Sequence, residues 1–260
     1  MRVALTGGAS GIGAEVATKL TARGHEVTAF DLNEPREQVA KWIKTDLGDP
    51  ASISAAVDAV DGPFDALINN AGIPPREGLT EAILCVNYLG LKLFLSAMLD
   101  KLAEGAAIVN TASRAGAAWR ENLAQVKALD ALRQSEVPDF VVAHGIDPVR
   151  AYNLSKEAVI ALTLASTEAM IARGLRMNSI SPAAVSTGIL DDFATAFGDR
   201  MAKNVARVGR PGLPEEVADA IIYLASPDSS WIKGQDIVLD GGMGALAQTD
   251  ALDLGALSIV

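Results

Sequence analysis

The chain of 260 residues has few of the residues that build disulfide frameworks and metal centres, since it contains one cysteine and two histidines. One cysteine cannot form a disulfide within the chain. Because the chain has so few cysteine and histidine ligands, a Cys/His site is disfavoured, and we predict no metal. Basic residues are also scarce: 22 lysines and arginines face 32 aspartates and glutamates, for a formal net charge of −10. With no basic run, we expect neither nucleic acid nor an anionic membrane as a partner.

Long apolar runs are missing too. No stretch of about 18 residues is both apolar and free of charge, which argues against a membrane span. A strand is predicted from residue 2 or 3, which leaves no room for a signal peptide, so we expect a cytoplasmic protein. Half of the residues are nevertheless hydrophobic. That is enough for the core of one large domain over residues 1–260.

Strand-like and helix-like patterns alternate along the chain. The predicted strands lie near residues 2–6, 26–30, 41–45, 65–69, 106–111, 175–181 and 235–239. The predicted helices lie near residues 11–23, 50–60, 80–103, 152–173 and 214–225. Such alternation is typical of a parallel sheet with helices on both faces. The predicted fold class is therefore α/β, a single doubly wound Rossmann-type domain with a central sheet of about seven strands.

The first predicted strand runs into a glycine-rich segment, Thr6 to Gly13, with the spacing Gly-x3-Gly-x-Gly. Glycine permits backbone angles closed to other residues and lets the main chain approach a ligand. The free N–H groups at the start of the following helix can then bind a pyrophosphate. We predict a dinucleotide site here. Its residues in this segment are Gly7, Ser10, Gly11, Ile12 and Gly13. The alternative is a glycine-rich turn that holds no ligand.

Asp31 ends the second predicted strand, 18 residues after Gly13. Near this offset an acidic residue accepts hydrogen bonds from the ribose hydroxyls of the adenosine. A carboxylate there also repels a 2′-phosphate, and the neighbouring residues that could offset its charge are not basic. Arg36 is the nearest cation, and we interpret it as a solvated surface residue. We therefore predict NAD, rather than NADP, as the cofactor.

A tyrosine and a lysine are the candidates for acid–base chemistry. Tyr152 and Lys156 lie four residues apart in a predicted helix, so they share a face. Asp147 and Pro148 fit its N-cap and first turn. An ammonium beside a phenol favours the phenolate, which could take the proton of an alcohol as hydride leaves its carbon. Ser113 follows the fifth predicted strand and reaches the same edge of the sheet.

The same spacing occurs once more, in Tyr88 and Lys92. That pair lies in a long apolar helical pattern with no serine-bearing strand before it, so we interpret Tyr88 as a core or interface residue. Cys85 lies in the same pattern and is interpreted as a core thiol rather than a nucleophile. Arg114 could face a substrate anion, but a surface role is favoured.

Taken together, these motifs resemble the short-chain dehydrogenase/reductase family in its NAD-preferring form. The resemblance covers nearly the whole chain. It rests on Thr6 to Gly13, Asp31, Asp46-Leu47, Asn70-Ala71-Gly72, Asn87, Ser113, Tyr152-x-x-Ser155-Lys156, Pro182-x-x-Val185-x-Thr187 and Asp240-Gly241-Gly242. One departure is Ala183, where the family usually has glycine after the proline.

The resemblance implies a role for each matching position. Tyr152 would be the general acid/base, and Lys156 would hold the nicotinamide ribose and lower the pKa of the phenol. Ser113 would position the substrate oxygen, and Asn87 would hold a water in the proton relay. The implied cofactor contacts also include Asp46 and Leu47 at the adenine, Val185 and Thr187 at the nicotinamide amide, and Asn70, Ala71, Gly72 and Pro182.

Residues 114–150 form an insertion, since Tyr152 lies 39 residues after Ser113. Apolar residues at helical spacing predict an inserted helix that ends before Pro138, and an apolar patch follows it. In this insertion and in the segments at residues 86–90 and 231–234, the sequence resembles the bacterial coniferyl-alcohol dehydrogenases and the 3α-hydroxysteroid dehydrogenase/carbonyl reductases. It would help to wall the substrate pocket, opposite a predicted substrate lid over residues 183–213. The alternative is a structural or oligomer-related role.

The predicted function is an NAD-dependent short-chain alcohol dehydrogenase/carbonyl reductase for a bulky apolar, aromatic or cyclic, small-molecule alcohol and its carbonyl. A hydroxysteroid dehydrogenase or ketone reductase is the alternative. A ketoacyl reductase would need NADP and a basic docking patch, and an enoyl reductase would need tyrosine where Val149 stands. A non-catalytic regulator that only senses NAD need not keep Tyr152, Lys156, Ser113 and Asn87 together. This chain has all four, which disfavours that alternative. The apolar tail, 245–260, predicts a homo-oligomer, with a dimer favoured over a tetramer.

Overall fold

Seven parallel strands form a single sheet in this computed structural model, which describes residues 1–36 and 39–257. The strands are β1 Arg2–Thr6, β2 Glu26–Asp31, β3 Lys41–Lys44, β4 Phe64–Asn69, β5 Leu102–Thr111, β6 Arg176–Pro182 and β7 Asp236–Leu239. Their order across the sheet is β3-β2-β1-β4-β5-β6-β7. The predicted strands are confirmed, although β5 begins before its predicted start. Between β2 and β3 the described residues form no helix, and residues 37 and 38 lie outside the described part.

Helices cover both faces of this sheet. They are α1 Gly11–Ala22, α2 Pro50–Asp58, α3 Thr80–Leu84, α4 Leu91–Met98, α5 Leu123–Asp130, α6 Val137–His144, α7 Pro148–Ala165, α8 Thr167–Ala172, α9 Leu190–Val208, α10 Pro214–Ala225 and α11 Met243–Ala251. The predicted helix over 80–103 is interrupted by a π-helical turn at Cys85–Gly90. The predicted helix over 152–173 starts earlier, because the Asp147 side chain caps it by accepting from the Arg150 N–H at 2.6 Å.

The core lies on both faces of the sheet. Helices α1 and α10 pack together on one face, while α2 and α4 pack together on the other. A parallel strand covered on both sides reads as a continuous buried run, and all seven residues of β6 are buried. The chain crosses in opposite directions after β1 and β4, so the strand order reverses between these two neighbouring strands. This switch point is where an open α/β sheet binds its ligand.

The stretch Thr80–Lys101 is long and apolar enough, by length and composition, to cross a membrane. In the folded chain 56% of its most apolar window is buried inside the protein. Phe94 and Met98 are fully buried against the sheet. The apolar character of this stretch is therefore accounted for by packing in the core.

The insertion contains two helices rather than the single one expected. Helix α5 ends at Asp130, and α6 begins at Val137 with Pro138 in its first turn. The predicted helix does end before Pro138, and the helix that was not predicted is α6, whose first turn accommodates a residue without an N–H. The Tyr88 hydroxyl donates to the Asp130 carboxylate, and Lys92 Nζ donates to it at 2.6 Å. The second Tyr-x3-Lys pair thus fastens the insertion to the core.

The buried Glu157 carboxylate of α7 forms an ion pair within that helix and a hydrogen bond to the insertion. Arg150 donates to both carboxylate oxygens of Glu157, at 2.8 and 2.7 Å, and Glu157 is 1% exposed. Asn122, just before α5, donates to the same carboxylate at 2.8 Å. Each oxygen of the buried carboxylate therefore has a partner, which is the condition for tolerating an ion pair away from water.

Helix α9 and the tail are folded against each other. The predicted lid region contains α9, which is kinked at Gly198, where φ is 51° and ψ is −137°. The tail forms α11 and a short 3₁₀ turn at Leu254–Leu257. Arg207 of α9 pairs with Asp250 of α11. Leu252 and Leu257 are exposed, so the tail retains an open apolar surface over its described residues.

Candidate active site

The glycine loop after β1 is closely packed against the loop after β4. A Cβ on Gly7, whose φ is 72°, would lie 2.6 Å from the Cα of Ala71. A Cβ on Gly13 would lie 1.8 Å from the carbonyl oxygen of Gly7. Only glycine fits at these points, and the loop opens into the N-terminus of α1. The backbone therefore forms the cradle that a pyrophosphate requires.

Side chains hold the two loops together. The Thr6 hydroxyl accepts from the Asn70 N–H at 3.0 Å and from the Ala71 N–H at 3.1 Å. Asn70 Nδ2 in turn donates to the carbonyl of Gly7 at 3.2 Å. The segment Asn70-Ala71-Gly72 thus lies directly beside the cradle, as the sequence predicts for neighbouring strand ends.

Asp31 ends β2 beside the glycine loop. Its carboxylate accepts from the Ala9 N–H at 3.0 Å and from the Asn33 N–H at 2.9 Å. Within the described residues it forms no salt bridge with a lysine or arginine. The Asp46 carboxylate accepts from the Gly48 N–H at 2.7 Å, and the Leu47 side chain is buried in the core. An acidic group without a cation partner therefore borders the cradle.

Tyr152 and Lys156 lie on one face of α7, and both are buried. Lys156 Nζ donates to the carbonyl of Thr111 at 2.7 Å and lies 5.8 Å from the centre of the Tyr152 ring. Ser113 follows β5, and its hydroxyl lies near enough to the Tyr152 phenol to act against the rise of the phenol's pKa. The end of β5 therefore brings the serine to the tyrosine and, through a carbonyl, orients the lysine.

Asn87 reaches the same place from the π-helical turn between α3 and α4. Its Oδ1 accepts from the Ile73 N–H at 2.8 Å, and its Nδ2 donates to the Ile73 carbonyl at 3.0 Å. A Cβ on Gly72 would lie 3.3 Å from Asn87 Oδ1 and 3.7 Å from Lys156 Nζ. Asn87 and Lys156 thus flank Gly72, and π-helical turns occur often at functional sites.

Burial shifts both titratable groups of the site towards their neutral forms. It raises the pKa of Tyr152 to about 12, while the hydrogen bond from Ser113 opposes that rise. It lowers the pKa of Lys156 to about 8. The lysine alone does not depress the pKa of the phenol in the free protein. Activation of the phenol therefore needs a further positive charge in the site.

The segment after β6 closes over the glycine loop. The Ala183 N–H donates to the carbonyl of Leu239 at 2.9 Å, so alanine is accommodated where the family usually has glycine. A Cβ on Gly11 would lie 3.4 Å from the methyl group of Thr187, which places this threonine against the cradle. Pro182 ends β6, and Val185 pairs with Gly212. The predicted segment 182–187 therefore faces the predicted cofactor loop.

Two features of the site were missed by the sequence analysis. Phe193 and Phe197 of α9 lie against the ring of Tyr152, although residues 183–213 were expected only as a lid. Their spacing of four residues is the signal that could have found them. Arg114, favoured as a surface residue, is partly exposed and also pairs with Asp240 at 3.3 Å, which joins the loop of the serine to the segment after β7.

Cys85 lies in the π-helical turn and is half-buried. Burial raises the pKa of its thiol to about 11, with the charge of Glu81 as a second cause. A thiol with so high a pKa is neutral near pH 7 and is a poor nucleophile. The interpretation of Cys85 as a core thiol therefore agrees with its surroundings.

Family models match two parts of the chain. Residues 2–125 match the short chain dehydrogenase model, and residues 140–244 match a model described as Enoyl-(Acyl carrier protein) reductase. A coniferyl-alcohol dehydrogenase of Pseudomonas sp. (strain HR199 / DSM 7063) is 34% identical over 247 residues, which cover 94% of this chain and 96% of that protein. The chain belongs to the short-chain dehydrogenase/reductase family.

Other members of the short-chain dehydrogenase/reductase family share its fold. A 3-alpha-hydroxysteroid dehydrogenase/carbonyl reductase of Comamonas testosteroni is 29% identical. The matched region covers 94% of this chain and 96% of that protein. The crystal structure of the 3-alpha-hydroxysteroid dehydrogenase of Pseudomonas sp. B-0831 in complex with NADH superposes with a TM-score of 0.85 and 31% identity. It matches 96% of this chain and 99% of that chain. The fold of this chain is thus a single Rossmann-like α/β domain with a seven-stranded parallel sheet.

Proposed function

We propose that the protein is an NAD-dependent oxidoreductase that interconverts a bulky apolar alcohol, aromatic or cyclic, and its carbonyl compound. One observation carries the proposal: Tyr152, Lys156, Ser113 and Asn87 meet at the edge of the sheet beside the glycine cradle. Turnover of alcohols is the function for which an acid–base phenol next to a nicotinamide site is suited. Bound NAD supplies the acceptor for a hydride and a positive charge near the phenol.

Each residue has a defined part in the proposed reaction. The hydroxyls of Ser113 and Tyr152 bind the alcohol oxygen, and Tyr152 takes its proton as general base. Lys156 would hold the ribose of the nicotinamide and would add positive charge close to the phenol. Asn87, with its amide turned towards the backbone of Ile73, orders the water through which the proton leaves. In the opposite direction Tyr152 returns the proton to the carbonyl oxygen.

The glycine cradle and Asp31 support the assignment of the cofactor. Gly7 and Gly13 allow the loop to pack closely on its own backbone and on Ala71, and the N-terminus of α1 that follows would bind the pyrophosphate. The Asp31 carboxylate would accept from the adenosine ribose and repel a 2′-phosphate. The backbone of Asp46 and Leu47, with Asn70, Ala71 and Gly72, would line the adenine and ribose.

The choice of substrate is supported by relatives named for coniferyl alcohol and for 3α-hydroxysteroids, which are alcohols with apolar rings. A hydroxysteroid or another cyclic ketone is the second candidate for the same reason. Reduction of an enoyl group is disfavoured, because Val149 stands seven residues before Lys156, where that activity would require a tyrosine.

An assay of NADH formation with a panel of ring-bearing and acyclic alcohols tests the proposal. The change Tyr152→Phe should lower kcat by at least about 100-fold, since it removes the general base, and should leave NADH binding intact. Oxidation by the wild type should rise with pH, because the phenolate is the base, and the variant should lose this dependence. The matched change Tyr88→Phe should retain most of the activity, and the reverse pattern would contradict the assignment.

We also propose that the protein is a cytoplasmic homodimer, formed through α10, β7 and the tail. The insertion lies against α7 and covers it with α5, while Tyr223, Val238 and Leu257 are exposed. Large apolar side chains left open on one part of a surface often mark an interface. Light scattering of the intact chain and of a chain without residues 246–260 tests this assembly. The deletion should give monomers, and a tetramer that survives it would disprove the proposed contact.

A further inference from the structure

An aromatic pair on α9 covers the ring of Tyr152. The ring centre of Phe193 lies 5.1 Å from that of Tyr152, and the ring centre of Phe197 lies 6.5 Å from it, both in edge-to-face geometry. The two phenylalanines are themselves stacked, with centres 6.3 Å apart and planes 9° from parallel. They therefore form one apolar wall beside the phenol at which the alcohol carbon must lie.

The wall has few anchors of its own. No residue of α9 is buried, and Phe193 and Phe197 contact the core only as partly buried side chains, against the cluster that contains Tyr152. At one end Arg76 donates to both carboxylate oxygens of Asp192, at 3.0 and 2.7 Å, next to Phe193. At the other end the kink at Gly198 follows Phe197 directly. The aromatic half of α9 thus lies between an ion pair and a kink.

We propose, resting on the function proposed above, that Phe193 and Phe197 select alcohols with an apolar ring next to the carbinol carbon. Aromatic rings prefer edge-to-face or offset contacts with other rings, and such contacts add to the area that a ring buries. A small acyclic alcohol binds to Tyr152 and Ser113 but offers little surface to the wall. The pair of Arg76 with Asp192 is a positioning contact that keeps the wall in place.

The test compares kcat/KM for 1-phenylethanol with kcat/KM for 2-butanol. In the double variant Phe193→Ala/Phe197→Ala the ratio should fall by at least about tenfold, mainly through the KM of the ring alcohol. Leucine at both positions keeps apolar volume without a ring, so its ratio should fall between those of the wild type and the alanine variant. Thr195→Ala, an exposed position on the same helix, is the matched control and should leave the ratio unchanged.

The positioning contact has its own readout. Asp192→Asn should raise the KM for 1-phenylethanol with little change in kcat, and the exchange Arg76→Asp/Asp192→Arg should restore it. An unchanged ratio in the alanine variant, or a leucine variant equal to the wild type, would overturn the inference and leave the proposed function standing. A wild type that binds NADH but turns over neither alcohol would overturn the proposed function and this inference with it.

Discussion

Lys156 is a buried cation whose neutral form the fold favours, so its removal should stabilise the free protein near neutral pH. Burial lowers its pKa from 10.5 to about 8. At about 1.4 kcal/mol per pKa unit, the charged lysine costs the folded state about 3 kcal/mol at pH 7. The 2.7 Å hydrogen bond from Lys156 to the Thr111 carbonyl offsets part of this free-energy cost, since hydrogen bonds to charged groups contribute about 1.5–3 kcal/mol. The change Lys156→Met should therefore raise the unfolding free energy by roughly 1 kcal/mol at pH 7.

The dependence on pH is the decisive part of this prediction. Lys156 binds its proton more weakly in the folded chain than in the unfolded chain, so folding releases a proton between pH 8 and 10.5. The wild type should gain stability relative to Lys156→Met as pH rises through this range, by up to about 3 kcal/mol. Tyr152 titrates in both proteins, so its contribution cancels in the difference.

Urea unfolding without cofactor, at several pH values from 7 to 10, measures that difference. At pH 7 the variant should also melt about 2–4 °C higher, the shift expected for 1 kcal/mol in a chain of this size. The exposed lysine Lys203, changed to Met, is the matched control and should give a pH-independent difference. Curves for wild type and Lys156→Met that run parallel from pH 7 to 10 would refute the reasoning.

Two further predictions concern the cofactor site and the insertion. Asp31→Ala should narrow the preference for NAD over NADP by about tenfold or more, which steady-state kinetics with both cofactors would measure; comparable efficiency of the wild type with both would refute the assignment. Glu157→Ala should lower the unfolding free energy by about 1–3 kcal/mol, because it leaves Asn122 and the partly exposed Arg150 without their shared acceptor. A loss below 1 kcal/mol in urea titrations would show that the network is not what holds the insertion to α7.

Local patterns in the sequence were sufficient for most of the fold. Alternating apolar segments predict the seven strands, because a parallel strand covered on both faces must be apolar throughout. The glycine spacing predicts the cradle, because the angles and close contacts at Gly7 and Gly13 exclude other residues. Asp147 and Pro148 predict the start of α7 through the cap they form. Each of these signals is carried by residues close together in the chain.

The sequence also favoured one of two identical spacings. Both tyrosines lie four residues before a lysine. The strand that precedes Ser113 favoured Tyr152, and the long apolar helical pattern around Tyr88 argued against that residue. In the structure the Ser113 hydroxyl lies near Tyr152 and acts on the pKa of its phenol, whereas Tyr88 donates to Asp130 of the insertion. The choice was possible because parallel strands end at one edge of the sheet, where residues distant in sequence are brought together.

What only the tertiary structure decided lies between segments that are distant in sequence. The second helix of the insertion, the wall of Phe193 and Phe197 and the pairing of Arg114 with Asp240 depend on which surfaces meet. The pKa of Lys156 depends on how completely the surrounding elements exclude water. Periodicity reports which face of a helix is apolar, but it does not report what covers that face. For that reason the alternating pattern and the motifs of the chain indicated an oxidoreductase fold and its cofactor site. The packing of α9 and the insertion determined the surroundings of the phenol.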